Sequence, residues 1–78
     1  MNKIKPEEFK KLSLVQRYKL LQERGNFIAS RQLGGHLCHL FAIDGFYVEM
    51  YKVIGMNQVQ WIEVVKNDRT LDSYLDNF

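Results

Sequence analysis

Residues Gly34 to Gly55 read GGHLCHLFAIDGFYVEMYKVIG, and the fold can be predicted outward from this segment. It contains two turn dipeptides, Gly34-Gly35 and Asp44-Gly45, flanked by runs rich in apolar and aromatic residues. Such dipeptides suit two-residue hairpin turns, whose backbone needs positive φ. Two tight turns in succession predict an antiparallel meander, with strands over residues 27–33, 36–43 and 46–54.

A fourth strand and a C-terminal helix are predicted after this meander. The tripeptide Gly55-Met56-Asn57 suits a looser turn, and the chain from about residue 58 to residue 66 then favours a strand. From about Thr70, apolar residues recur at the helical spacing i, i+3, i+4 and i+7. These residues are Leu71, Tyr74, Leu75 and Phe78.

An amphipathic helix is predicted before the meander. Ser13 and Gln16 have the spacing of a capping box, and Gly25 is a typical residue just after a helix end. The apolar stripe of this helix consists of Leu14, Tyr18 and Leu21, widened by Val15, while Arg17 lies outside it. Pro6, followed by two acids, favours a further short helical turn over residues 6–11.

The predicted class is therefore α+β. A four-stranded antiparallel β-meander lies between an N-terminal amphipathic helix and a short C-terminal helix, in the order α-β-β-β-β-α. With 78 residues, 46% of them hydrophobic and 26% charged, the chain suits one small domain over residues 1–78.

The turns also fix the strand register, which sorts side chains onto two faces. Position 41 is predicted to oppose positions 28 and 48, so Ile28, Phe41 and Val48 form one apolar row. With position 54 opposite 58, Ile62 and Val64 join this face beside the third strand. We expect both helices to cover it, with a division of the helices between the two faces as the alternative.

The opposite face mixes aromatic residues with charges and is more apolar than a solvent-facing sheet surface requires. It carries Phe27, Ala29, Arg31, Cys38, Leu40, Tyr47, Glu49, Tyr51 and Trp61. Since tyrosine and tryptophan favour protein interfaces, we single out a candidate interaction surface. It consists of Arg31, Tyr47, Tyr51 and Trp61.

Nucleic-acid binding on the same face is the alternative. Open sheets stack unpaired bases on aromatic side chains, so a single strand of RNA or DNA could lie across these tyrosines. The sequence pI of about 8.8 is only mildly basic, and Glu49 lies among the tyrosines. Both observations make a protein partner or a second copy the preferred expectation, bound through this aromatic face or through an exposed strand edge.

A Cys38-based or metal site is the second alternative. His36, Cys38 and His39 form the only metal-like cluster, but in a strand His39 points away from the other two. At most two of them could hold one ion, whereas structural zinc takes four ligands. Cys38 as a nucleophile would need a base and an electropositive setting. We therefore predict no catalytic residue, metal or cofactor, and no enzymatic activity.

The distribution of charge, the length of the apolar runs and the single cysteine limit the compartments and partners that we expect. Residues 1–24 carry seven basic and three acidic side chains, and residues 44–78 carry three basic and six acidic ones. The two ends are thus electrostatically complementary. No apolar run approaches the ~20 residues that a membrane span needs. A lone cysteine suits a reducing compartment, so we expect a cytoplasmic protein without a membrane segment.

Three segments also carry a resemblance, namely LSLVQRYKLLQERGNFIASR, GGHLCHLFAIDGFYVEMY and LDSYLDNF. Together they resemble short uncharacterised bacterial proteins with the same layout of helix, meander and helix. The motifs concerned are structural: a capping box, a glycine after a helix, a hairpin glycine and an aromatic strand. The resemblance implies a bacterial cytoplasmic protein and no particular activity.

Overall fold

Three helices and four strands make up the described part of the chain, which is residues 3–56, 58–66 and 68–75 of a computed structural model. In chain order they are α1 (Pro6–Lys10), α2 (Leu14–Arg24), β1 (Asn26–Leu33), β2 (His36–Ile43), β3 (Phe46–Val53), β4 (Val59–Val64) and α3 (Asp68–Leu75). The strands form one antiparallel sheet in the order β1-β2-β3-β4. The predicted α+β meander is confirmed. Among the described helices, none has the length and apolarity to cross a membrane.

The element bounds differ from the predicted ones by a few residues. Ser13 and Gly25 cap α2 as expected, and the Ser13 hydroxyl and the Gln16 amide form a reciprocal capping box. The last helix begins two residues before Thr70. Its predicted end at Phe78 lies outside the described residues.

The backbone conformation of the turn between β2 and β3 accounts for the residues found there. Asp44 and Gly45 have φ angles of 47° and 91°, a backbone conformation that few residues other than glycine, asparagine and aspartate adopt. The Asp44 carboxylate also accepts a hydrogen bond from the backbone N–H of Ile4, at 2.8 Å, and forms an ion pair with Arg24. Asp44 therefore ties this turn to the start of the chain and to the end of α2.

The predicted register is confirmed through the centre of the sheet and wrong at two outer positions. Phe41 opposes Val48, but a β-bulge places Phe27, not Ile28, opposite Phe41. Ile28 is the extra residue of the bulge and is 42% exposed, so it does not belong to the core row. A second irregularity pairs Lys52 with Val59, which overturns the predicted pairing of positions 54 and 58.

The main core lies on the front face of the sheet, which α1 and α2 cover. It combines one buried residue from each of these helices, Phe9 and Leu21, with inward side chains of β2, β3 and β4. The Phe9 ring meets Phe46 edge-on, with ring centroids 5.8 Å apart. The buried strand residues are Ile43, Val48, Met50 and Ile62.

The buried stripe of α2 differs from the predicted one. Val15 and Tyr18 are 62% and 38% exposed, whereas Arg17 is only 8% exposed. The Arg17 guanidinium donates hydrogen bonds to the carbonyls of Lys10, Leu12 and Ile62. Arg17 can be buried here because three backbone carbonyls accept its hydrogen bonds. The helical periodicity of apolar residues does not reveal these acceptors, so it does not predict that Arg17 is buried.

A second, smaller core lies on the back face under α3. Ala29, Cys38 and Leu40 are buried there against Tyr74, which is 1% exposed, and Leu71 packs at the margin. The expectation that both helices cover the front face is therefore wrong. The helices divide between the faces, which was the alternative.

Candidate interaction surface

Of the four residues predicted to form an interaction surface, the structure places Arg31, Tyr51 and Trp61 in one cross-strand row and Tyr47 apart from them. All four come from the back face, but Arg31 and Tyr51 are only partly exposed and point into a hydrogen-bonded cluster beside α3. Tyr47 is 40% exposed next to Ala42, and Trp61 is 46% exposed on the edge strand β4. Tyr51 and Trp61 are neighbours across the strands.

Glu49 lies at the centre of the cluster and is 2% exposed. Its Oε2 accepts hydrogen bonds from the Tyr74 hydroxyl at 2.7 Å and from Nη2 and Nε of Arg31 at 3.0 and 3.2 Å. Its Oε1 accepts one from the Tyr51 hydroxyl at 2.8 Å. A buried carboxylate with one guanidinium and two phenols is well satisfied, because its charge is paired and both of its oxygens accept hydrogen bonds. We call these four residues the Glu49 cluster.

Glu63 is a second carboxylate beside this cluster. Its Cα opposes that of Glu49 across β3 and β4, as the predicted register implied, and its Oε1 is 3.1 Å from the Tyr51 hydroxyl. One hydroxyl carries one proton, so Tyr51 donates to one of the two carboxylates at a time. Unlike Glu49, Glu63 is exposed. Within the described residues it forms no ion pair.

The cluster keeps its phenols protonated. Burial, followed by the hydrogen bond and the charge of Glu49, raises the pKa of Tyr51 above its ordinary value, and the same causes raise the pKa of Tyr74. Burial alone lowers the pKa of Arg31, but hydrogen bonds to Glu49 and Tyr74 outweigh that effect and raise it. The cluster therefore consists of a cation, an anion and two neutral donors around neutral pH.

Next to the cluster, on the back face, is a shallow cavity of about 260 Å³ that is largely open to solvent. Its walls are the side chains of His36, Tyr51, Gln60, Trp61 and Glu63. His36 Nε2 and Gln60 Oε1 are 2.7 Å apart, and the His36 and Tyr51 rings meet edge-on with centroids 6.4 Å apart. On the edge of the sheet, the Arg17 guanidinium lies over the Trp61 ring, 4.9 Å from its centroid.

The cysteine and histidine residues do not come together as a site. Cys38 is a free cysteine with 0% exposure, and burial raises the pKa of its thiol. His39 lies on the front face, where burial and the charge of Lys52 lower its pKa. In the part of the chain that the structure describes, no three potential metal ligands are grouped.

The outer edge of β1 is a separate exposed feature. Six of its eight residues are exposed, including Phe27, Ile28 and Leu33 at 58%, 42% and 47%. The strand contains no lysine or proline, and its single charge, Arg31, is turned toward Glu49. The other edge strand, β4, has a different environment because Arg17 donates to the Ile62 carbonyl.

Two members of the Glu49 cluster, Glu49 and Tyr74, have a role in the structure that the sequence did not predict. The sequence places Glu49 among the tyrosines and opposite Glu63 as a surface acid, and Tyr74 in an apolar stripe, so it does not predict their hydrogen bond. The available signal was the predicted row itself, since it placed Arg31 and Tyr51 next to Glu49. A buried acid between a cation and a phenol requires further donors, and a helix tyrosine can supply one.

Comparisons with known proteins add no assignment to this geometry. No protein-family model, no curated protein and no solved structure matches the chain.

Proposed function

We propose that the protein is a small non-enzymatic interaction module that pairs with a second copy of itself through the outer edge of β1. The observation that carries the proposal is the state of this edge, which is long, exposed and free of the residues that usually prevent strand pairing. Natural sheets protect their edges with lysine, proline, bulges or a covering segment. Of these devices, the described part of the chain gives β1 only the bulge at Ile28, which leaves the stretch from Ala29 to Leu33 regular.

The side chains of β1 support a protein partner. Phe27, Ile28 and Leu33 expose apolar surface on the same strand that carries the unpaired backbone groups. Backbone hydrogen bonds would supply affinity, and these apolar side chains would add buried area on both sides of the joined sheet. The four-stranded sheet would thereby become an eight-stranded one.

A second copy fits this edge better than an unrelated strand would. Antiparallel pairing of two identical strands satisfies both edges in one closed, two-fold interface. Arg31 is the only charged residue of β1, and its guanidinium is 3.0 Å from Glu49 Oε2 in its own subunit. The two edges therefore meet without unpaired like charges. A free, buried Cys38 also suits work in a reducing bacterial cytoplasm.

The test is the oligomeric state of the wild type and of an edge variant. Ser30→Lys with Gln32→Lys places two lysines on exposed positions of β1, where strand pairing would bury their charge. We expect a dimer for the wild type and a monomer for the variant in analytical ultracentrifugation, with unchanged circular dichroism.

The control variant is Gln22→Lys with Gln58→Lys, which adds the same charge at exposed positions away from β1. It should remain a dimer. A wild type that is strictly monomeric up to about 1 mM would contradict the proposal, since even weak pairing is populated at that concentration.

Single-stranded nucleic acid is a weaker candidate for the back face. The Tyr51 hydroxyl lies between two carboxylates, and the exposed Glu63 would repel phosphates. Titration with a mixed oligonucleotide at low salt tests this alternative, because phosphate contacts make affinity strongly salt-dependent.

A further inference from the structure

The cavity beside the Glu49 cluster has the composition of a site for an organic cation. Three of its five wall residues have aromatic rings, namely His36, Tyr51 and Trp61, and the other two are an amide and a carboxylate. Aromatic rings attract cations through the negative potential of their faces, and groups of such rings bind alkylammonium groups. At about 260 Å³, the cavity is smaller than a typical site for a drug-sized ligand, and because it is largely open it would contact one side of a single headgroup.

The charge of the cavity has the matching sign. Glu49 is neutralised by Arg31, whereas Glu63 is exposed and, among the described residues, has no cationic partner within 4 Å. Its side chain accepts a hydrogen bond from the Tyr51 hydroxyl, a neutral donor. Burial and Glu49 raise the pKa of Tyr51, so this phenol adds no charge around neutral pH. Among the residues that line the cavity, the Glu63 carboxylate therefore remains without an ion pair, and the Arg17 guanidinium on Trp61 is a cation outside this lining.

The protein already uses one of these rings to hold a cation. The Arg17 guanidinium lies over Trp61 at 4.9 Å from the ring centroid. Arg17 comes from α2 on the front side of the sheet, whereas His36 and Tyr51 line the cavity from the back face. An aromatic ring has two faces, so a ligand in the cavity would have to use the face of Trp61 that Arg17 does not cover.

The local backbone also departs from a regular strand at this place. The register shift between Tyr51 and Lys52 leaves Gln60 as the extra residue of β4. Gln60 thereby comes within 2.7 Å of His36. Bulges often re-aim side chains beside binding sites, and this one brings Gln60 and Trp61 to the same cavity.

We propose that this cavity binds an alkylammonium cation, with Tyr51 and Trp61 as aromatic walls and Glu63 as the counter-charge. The site is distinct from the β1 edge, so it does not depend on the proposed self-association. Its ligand is either a free small amine or the ammonium group of a lysine side chain on a partner, and both present the same chemistry.

The test compares choline with its neutral isostere 3,3-dimethylbutan-1-ol. Trp61 is the one tryptophan of the chain, so its fluorescence and its indole N–H resonance report directly on the cavity. We expect choline, at matched ionic strength, to shift both signals saturably, and the neutral isostere to bind clearly more weakly. Glu63→Gln should weaken choline binding about two- to fivefold, the usual range for an exposed charge pair.

Glu23→Gln is the matched control, because it removes one exposed carboxylate from α2, away from the cavity. Peptides carrying lysine, trimethyllysine or neutral norleucine distinguish the two sources of the ammonium group. Equal binding of choline and its isostere would overturn the proposal, as would equal effects of the two Glu→Gln variants. No response of Trp61 up to about 0.1 M choline would also overturn it.

Self-association through β1 and cation binding in the cavity can be tested independently of each other. The variant with lysines at positions 30 and 32 leaves the cavity intact, so it should still bind choline as a monomer. A monomeric wild type that binds choline would remove the self-association and keep the cation site.

Discussion

The stabilising effect of a buried carboxylate depends on the complete set of its partners. Glu49 accepts hydrogen bonds from Arg31, Tyr51 and Tyr74, and the Arg31 side chain is itself only 15% exposed. A buried ion pair contributes little relative to apolar residues of the same shape, but removing one partner leaves a buried charge uncompensated. The cluster therefore matters most for joining α3 to the sheet in one geometry.

Glu49→Gln should consequently be more damaging than Tyr74→Phe. The glutamine keeps the shape but leaves the Arg31 guanidinium without its anion, which should cost about 2 kcal/mol of unfolding free energy because Arg31 retains some solvent. The phenylalanine removes one hydrogen bond to a charged group, at about 1.5 kcal/mol. Urea denaturation measures both values. Tyr47→Phe, at an exposed position, is the control and should change the free energy by less than about 0.5 kcal/mol.

Tyr74 also makes the stability of the folded protein sensitive to alkaline pH. The pKa of Tyr74 is raised in the folded state above its ordinary value of 10.0, so the folded chain retains this proton where the unfolded chain loses it. The contribution to stability is fully present below pH 10 and is lost as the pH rises toward the folded pKa, by up to about 1.4 kcal/mol per pH unit.

A pH series of urea denaturation tests this effect. The stability advantage of the wild type over Tyr74→Phe should be constant from pH 7 to pH 9 and should shrink by about 1 kcal/mol at pH 11. The difference between the two proteins isolates Tyr74 from the lysines, which titrate in the same range in both. An advantage that stays constant to pH 11 would mean that Tyr74 titrates as in the unfolded chain.

At the scale of single elements, β1 is predicted correctly as a strand, but the prediction assigns two of its residues to the wrong face of the sheet. Period-two alternation, with the Gly34-Gly35 turn, assigns faces correctly from Leu33 back to Ala29. The bulge at Ile28 then reverses the alternation, and Phe27 takes the core-side position opposite Phe41. A bulge depends on a local backbone choice that a run of apolar residues does not reveal, since Phe27 and Ile28 suit either face.

Deleting Ile28 should therefore be tolerated. Phe27 already opposes Phe41 and Ala29 already opposes Leu40, so the deletion makes the strand regular without moving either residue to the other face. We expect a folded protein whose unfolding free energy changes by less than about 1 kcal/mol.

Deleting Ser30 is the matched control. The strand would then have to place Ile28 in the buried position of Ala29 under α3, and overpacking of this kind costs about 1–3 kcal/mol. Circular dichroism and urea denaturation of the two deletion variants decide the matter. Equal losses of stability in both variants would show that the bulge itself is required.

For the whole molecule, the sequence predicts the order and type of the elements but not how the layers are assigned. Turn dipeptides and periodicity are local signals, and they identified the meander, the capped α2 and the last helix. The face that a helix covers depends on distant partners: the Tyr74 hydroxyl meets Glu49, 25 residues earlier in the chain. Arg17 likewise belongs inside because of a carbonyl of β4, 45 residues later.

The same reason limits the prediction of the sites. The row of Arg31, Cys38, Tyr51 and Trp61 was correctly brought together, because register follows from the turns. Which members stay accessible was not predictable, because α3 covers part of the back face. The cavity depends on the bulge at Gln60, which the loop spacing did not reveal.

The position of α3 has a consequence for synthesis on the ribosome. A nascent chain that has emerged as far as Lys66 contains β1 to β4 together with α1 and α2, so the core on the front face can form. Its back face still lacks Leu71 and Tyr74, and Leu40, together with the Glu49 carboxylate, stays open to water until the last helix leaves the exit tunnel. During that interval the chain exposes apolar surface on both sides of β1, whose outer edge is unpaired. A chaperone or a neighbouring nascent chain then has its best access to this surface.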